Sequence, residues 1–198
     1  MIRPVIGIDP GADGGAVILQ ADGQTALDAF RWRKGVGGYN VRSIYGPSTK
    51  VPTLAHVGDR IARAFGHKVW LGVEGLFVPR PNPGHLHVHP GQIRHVLTLA
   101  ENAALVYGPM LGKAERVERP TAAVWRPAIL GIARNASSKS SEAAAIAACT
   151  KMRPPIVTGL RDLGEDPHVA EAACIARYTW LAQVGESKLN GGRAVRNG

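Results

Sequence analysis

Val5-Ile6-Gly7-Ile8-Asp9-Pro10-Gly11, followed by Gly14-Gly15-Ala16-Val17-Ile18-Leu19, is the stretch from which the fold is read. Four apolar residues halted by Asp-Pro-Gly form a short buried strand ending in a turn. The glycine pair leads into a second apolar run, and Asp22-Gly23 is a hairpin turn sequence entering a third strand around Ala26 to Trp32. Three strands in this order make an antiparallel meander. Residues 33–50, rich in Gly, Lys, Arg and Ser without period, read as a loop.

Working outward, Pro52 to Phe65 sets Leu54, Val57, Ile61, Ala62 and Phe65 on one helical face. Val69 to Val73 is a strand ending at Glu74-Gly75, and a long loop runs from Pro79 to Pro90. A helix from about Gln92 to Leu105 and a short strand at Arg116-Val117-Glu118 follow. Pro120 and Thr121 open a helix through Leu130, and Ser137-Ser138 cap another reaching Thr150. A last helix starts at Asp166-Pro167 and continues to Ala182. The order predicts an α/β fold: a mixed sheet, with a three-strand antiparallel meander plus parallel strands, flanked by helices. Residues 1–184 read as one domain and 185–198 as a flexible polar, basic tail.

The 198 residues are 45% hydrophobic, enough for a sizeable core, and carry a net charge of +9. The basic surplus is spread over both halves, so the folded domain itself presents positive surface and polyanions are the first partners to consider. The longest apolar runs, such as Ala143 to Cys149, fall far short of the roughly 20 residues that span a bilayer. Asp9 interrupts the only N-terminal stretch that resembles a signal peptide. Cys149 and Cys174 lie in Ala-rich helical patterns and read as buried free thiols in a reducing, cytoplasmic compartment. Trp32, Trp70, Trp125 and Trp180 fall in apolar patterns and read as core.

Two carboxylates stand where strands end: Asp9 before Pro-Gly and Glu74 before Gly75. If those strands are parallel neighbours, both acids emerge at one carboxyl edge of the sheet, where open α/β sheets place their sites. Taken singly, Asp9 also reads as a turn-forming residue and Glu74 as a solvated strand end. Asp166 before Pro167 is an N-cap pattern, and His168 and Glu171, three apart, share one face of the helix that follows. Glu171 also suits the positive end of a helix dipole. A divalent metal shared with Asp9 and Glu74 would compensate these charges. Oxygen donors from distant segments suit Mg²⁺ or Mn²⁺, and on a basic protein the matching chemistry is phosphodiester hydrolysis.

Gly7-Ile8-Asp9-Pro10-Gly11 with Gly14-Gly15, Val73-Glu74-Gly75-Leu76-Phe77, Gly91-Gln92-Ile93-Arg94 and His168-Val169-Ala170-Glu171-Ala172-Ala173 together resemble the motifs of RuvC-type Holliday junction resolvases. The resemblance covers roughly residues 5–182 and implies an RNase H-like fold. It also implies a homodimer that nicks opposed strands of a four-way DNA junction with two Mg²⁺ or Mn²⁺ ions per site and no nucleotide cofactor. Carried over, Asp9, Glu74, His168 and Glu171 would be catalytic metal ligands, with Asp166 the alternative to Glu171. Lys139 would stand near the scissile phosphate and Phe77 would stack at the junction centre. The family usually has Asp where Glu171 stands, a departure that is compatible with a phage-encoded member.

Arg31, Arg33, Lys34, Arg80 and Arg94 are the basic residues placed to follow a DNA backbone. His85, His87 and His89 alternate in the long loop, where phosphate or base contact, or no role, is favoured over a metal site. Two rival functions share the same residues: a nuclease of this fold acting on RNA or an RNA–DNA hybrid, and a non-catalytic junction-binding protein. An actin-like ATPase or sugar kinase needs two Asp-first lobes, and this chain has one.

Overall fold

The computed structural model describes residues 1–65, 68–75 and 90–194. Seven strands, β1 (Val5–Asp9), β2 (Gly14–Leu19), β3 (Ala26–Gly35), β4 (Gly38–Ser43), β5 (Thr49–Val51), β6 (Val69–Val73) and β7 (Ala114–Glu118), form one sheet in the order β5-β4-β3-β2-β1-β6-β7. β1 to β5 pair antiparallel, while β6 lies parallel to β1 and β7 parallel to β6. The helices are α1 (Leu54–Arg63), α2 (Pro90–Tyr107), α3 (Ala122–Leu130), α4 (Ser138–Ile146) and α5 (Pro167–Ala194). This is the α/β architecture read from the sequence, a mixed sheet of antiparallel meander and parallel strands flanked by helices. Among the described residues no helix is long and apolar enough to cross a membrane.

Strand alternation divides the interior in two. Ile6, Ile8, Phe30, Trp32 and Leu71 point to one face and pack with α1 and α2. Val5, Val17, Ala29 and Trp70 point to the other and pack with α3, α4 and α5. Trp32, Trp70 and Trp125 are buried, and so are the free thiols of Cys149 and Cys174. Trp180 is half-buried, its indole donating to the Ala21 carbonyl at 2.8 Å.

Residues 33–50 are not a loop. The third strand continues to Gly35, and β4 and β5 add a hairpin and an edge strand. Gly37 and Gly38, at φ 71° and 142°, supply the left-handed turn that brings Gly38 opposite Gly35. Tyr39, Val41 and Val51 then alternate onto the α1 face. Glycines and charges on the solvent side hid a period of two that only the apolar side keeps. The last helix, read to Ala182, runs on to Ala194, since no proline stops it.

α5 lies directly on the strands. A Cβ on Gly7 would stand 2.1 Å from the Ala172 carbonyl oxygen, and one on Gly15 would stand 2.5 Å from that of His168. The alanines opposite, Ala172 and Ala176, are fully buried. Backbones that approach this closely leave no room for a side chain on the strand. Gly7→Ala is therefore expected to cost about 3 kcal/mol or more in denaturant unfolding. Gly112→Ala, where an added Cβ meets nothing within 4 Å among the described residues, should stay within about 1 kcal/mol of the parent. Equal effects at the two positions would refute the close-packing account.

Candidate active site

β1 and β6 run parallel with Ile8 opposite Val73. Asp9, the last residue of β1, and Glu74, the first after β6, therefore leave the sheet side by side at its carboxyl edge. The Glu74 amide donates to the Ile8 carbonyl at 3.1 Å and fixes that offset. α5 starts over the same edge. Asp166 caps it, accepting the His168 amide on Oδ1 at 3.0 Å, while its carbonyl takes the Ala170 amide at 2.9 Å.

Each acid is held differently. Asp9 Oδ2 lies 2.6 Å from His168 Nδ1. Glu74 Oε1 accepts the Trp125 indole N–H at 3.1 Å. Glu171 Oε1 accepts from the Ser141 hydroxyl at 2.9 Å and from Arg126 at 3.2 Å. Asp166 is taken by Arg31, whose Nε donates to Oδ2 at 2.6 Å. Asp9, Glu74 and His168 line a cleft of about 790 Å³ together with His95, Arg126 and Arg134.

Crowding shows in the protonation equilibria. Burial pushes the Glu74 carboxyl up to about 7, and the charges of Asp9 and Glu171 add to the shift. Burial raises Glu171 as well, again with help from Asp9. The hydrogen bond to Asp9 raises His168 against the opposing effect of burial. Carboxylates that resist ionisation because of burial, and secondarily because of one another, gain from a cation placed among them. Among the described residues, no three His, Cys, Asp or Glu side chains converge on one ion in their present rotamers.

Several residues singled out in the sequence fall elsewhere. Arg31 is buried, its guanidinium bonded to Asp166 and to the Gly14 and Trp32 carbonyls. Arg33 is exposed on the same strand face, and Lys34 alternates to the opposite one. Lys139 is exposed in the first turn of α4, next to the cleft residue Ser138, and Arg94 is exposed on α2. Phe77, Arg80, His85, His87 and His89 lie outside the described residues.

Arg126, Arg134 and Ser141 join the site without having been read from the sequence. Arg126 had a signal: a single charge inside Ala-Ala-Val-Trp-Arg-Pro-Ala-Ile-Leu. Its Nε is buried and has no hydrogen-bond partner among the described residues. Trp125, read as core, is both core and donor to Glu74.

No protein-family model and no curated protein matches the chain. Among solved structures it is similar to the RuvC structure of Thermus thermophilus, at 16% sequence identity and a TM-score of 0.39, covering 92% of this chain and 96% of that one.

The raised Glu74 carboxyl has a consequence for the metal-free protein. From the ordinary carboxyl value of 4.5 up to about 7, the folded chain holds a proton that the unfolded chain has lost. Stability is therefore greatest on the acid side of this window and declines as pH rises through it, by on the order of 3 kcal/mol if Glu74 acts alone. Glu74→Gln should flatten the decline and raise stability at about pH 8. Urea unfolding across the window with chelator present measures both slopes, and an unchanged slope would assign the titration to another group.

Proposed function

We propose that the chain is a divalent-metal-dependent endonuclease that resolves four-way DNA junctions as a homodimer, each subunit nicking one of two opposed strands. The observation that carries the nuclease reading is the pair Asp9 and Glu74, side by side on parallel strand ends and lining a cleft that Arg126 and Arg134 also line. The preference for a junction rests on the sequence motifs and on the +9 net charge.

The donor set fits a hard cation. Asp9 and Glu74 would hold Mg²⁺ or Mn²⁺, with His168 and Glu171 completing the shell once Glu171 turns from Ser141 and Arg126. Such a cation supplies Lewis-acid charge at the scissile phosphate and a source of hydroxide near neutral pH. Arg126 and Arg134, which line the same cleft, would supply positive charge to a phosphodiester there. The short contact with Asp9 orients His168, and Arg31 orients Asp166, which caps the helix carrying both α5 donors. Lys139, exposed next to the cleft residue Ser138, would be the lysine that the sequence motifs put near the scissile phosphate.

An end-labelled four-way junction, a linear duplex and an RNA–DNA hybrid, each incubated with Mg²⁺ or Mn²⁺, test the reading. Paired symmetric nicks in the junction alone are expected. Asp9→Asn and Glu74→Gln should each lower the rate by more than about a hundredfold, beyond the usual loss for outer-sphere partners of a metal, while junction binding persists. Cleavage of the hybrid alone would reassign the substrate to RNA. Tight junction binding without cleavage in either metal would make the chain a binding protein.

A further inference from the structure

The hairpin that the sequence hid builds a second feature, on the α5 side of the sheet. Arg31 lies opposite Arg42 and Arg33 opposite Asn40 across the β3–β4 ladder, and Asn40 lies opposite Lys50 across β4–β5. Alternation sends all of these side chains to one face, while Trp32 and Val41, also paired, fill the core on the other. Arg31 is buried beneath Asp166; past it, Arg33, Asn40, Arg42 and Lys50 are exposed. The result is a polar shelf three strands wide.

The cations on this shelf are only loosely compensated. Arg33 reaches Asp13, and Arg42 reaches Asp162, at 3.9 Å, with arginine side chains 68% and 58% exposed. Pairs of this length in water are weak and screened by salt. A groove of about 420 Å³ runs between Arg33, Asn40, Arg42 and Ser48 on the strand side and Asp162 and Asp166 on the other. It opens beside the cleft. Asp13 lines the cleft and also accepts the Lys34 amide at 2.8 Å, and Asp166, on the groove, is two residues from the cleft's His168.

We infer that this shelf is a track for the sugar–phosphate backbone of the DNA arm that enters the cleft. The inference rests on the nuclease reading of that cleft and adds where the arm runs. Diagonal cross-strand neighbours such as Arg33 and Arg42 stand about 7–8 Å apart, a separation comparable with that of successive phosphates along one strand. Arginine and lysine on outer strands also guard a sheet against edge pairing. That role needs charge but does not need it continuous with a catalytic cleft.

The test is binding of a fluorescein-labelled immobile four-way junction in chelator, over a salt series, so that cleavage plays no part. The variant is Arg33→Gln/Arg42→Gln/Lys50→Gln, whose replacements stay polar and exposed. Its log–log salt slope should fall by about 2 to 3, near 0.9 for each phosphate that is no longer neutralised, and its affinity at about 100 mM salt should drop at least tenfold. Arg63→Gln/Lys151→Gln/Arg153→Gln removes the same charge elsewhere on the surface and should leave the slope unchanged. If the triple variant does not fold, Arg42→Gln alone should lower the slope by about 1. An unchanged slope in the shelf variants, or an equal fall in the control, would overturn the track while leaving the cleft untouched. Failure of the parent chain to bind the junction would overturn the track together with the nuclease reading beneath it.

Discussion

Everything in this molecule depends on how closely α5 approaches the sheet. Gly7 and Gly15 present bare backbone, and Ala172 and Ala176 meet it with the smallest side chains that still exclude water. A helix held that close, with its first turn over the carboxyl edge of β1, brings His168 against Asp9. A methyl group on Gly7 or Gly15 would lift the helix and separate the two halves of the cleft. Packing geometry, more than any hydrogen bond, thus sets the distance between groups that come from opposite ends of the chain.

The second constraint is electrostatic. Asp9, Glu74 and Glu171 crowd one region, and burial raises the cost of charging them. The fold answers with separate local partners: His168 for Asp9, the Trp125 indole for Glu74, Ser141 and Arg126 for Glu171. α3 and α4, which would otherwise only cover the sheet, are thereby part of the site. Each acid thus has a protein partner on one oxygen, and a cation would compete for those same oxygens.

The same sheet serves two ends. Its middle strands, covered on both faces, position the acids, as buried parallel strands do. Its outer strands β3 to β5 are covered by core on the α1 face, while their exposed face carries Arg33, Asn40, Arg42 and Lys50. Because strand side chains alternate, one hairpin supplies both core residues and an outward row of cations.

Local pattern was enough to read much of this. The runs ending at Asp9 and Glu74, the Asp166-Pro167 cap, the helical face from Leu54 to Ala62 and the buried cysteines are each written within a few neighbouring residues, where steric and capping preferences act. The hairpin over residues 38–51 escaped because its apolar period survives only at Tyr39, Val41 and Val51, between glycines and charges. The site's partnerships escaped for a different reason. Asp9 and His168 are 159 residues apart, Arg31 and Asp166 are 135 apart, and Arg126 and Glu171 are 45 apart. Nothing within a few residues of Glu171 shows that it turns to Arg126, or near Arg31 that its guanidinium is used up inside the protein. The sequence by itself determined which acids stand at strand ends and helix starts. The tertiary structure decided which of them share a cleft and what each one touches, because those contacts exist only once α5 has closed on the sheet.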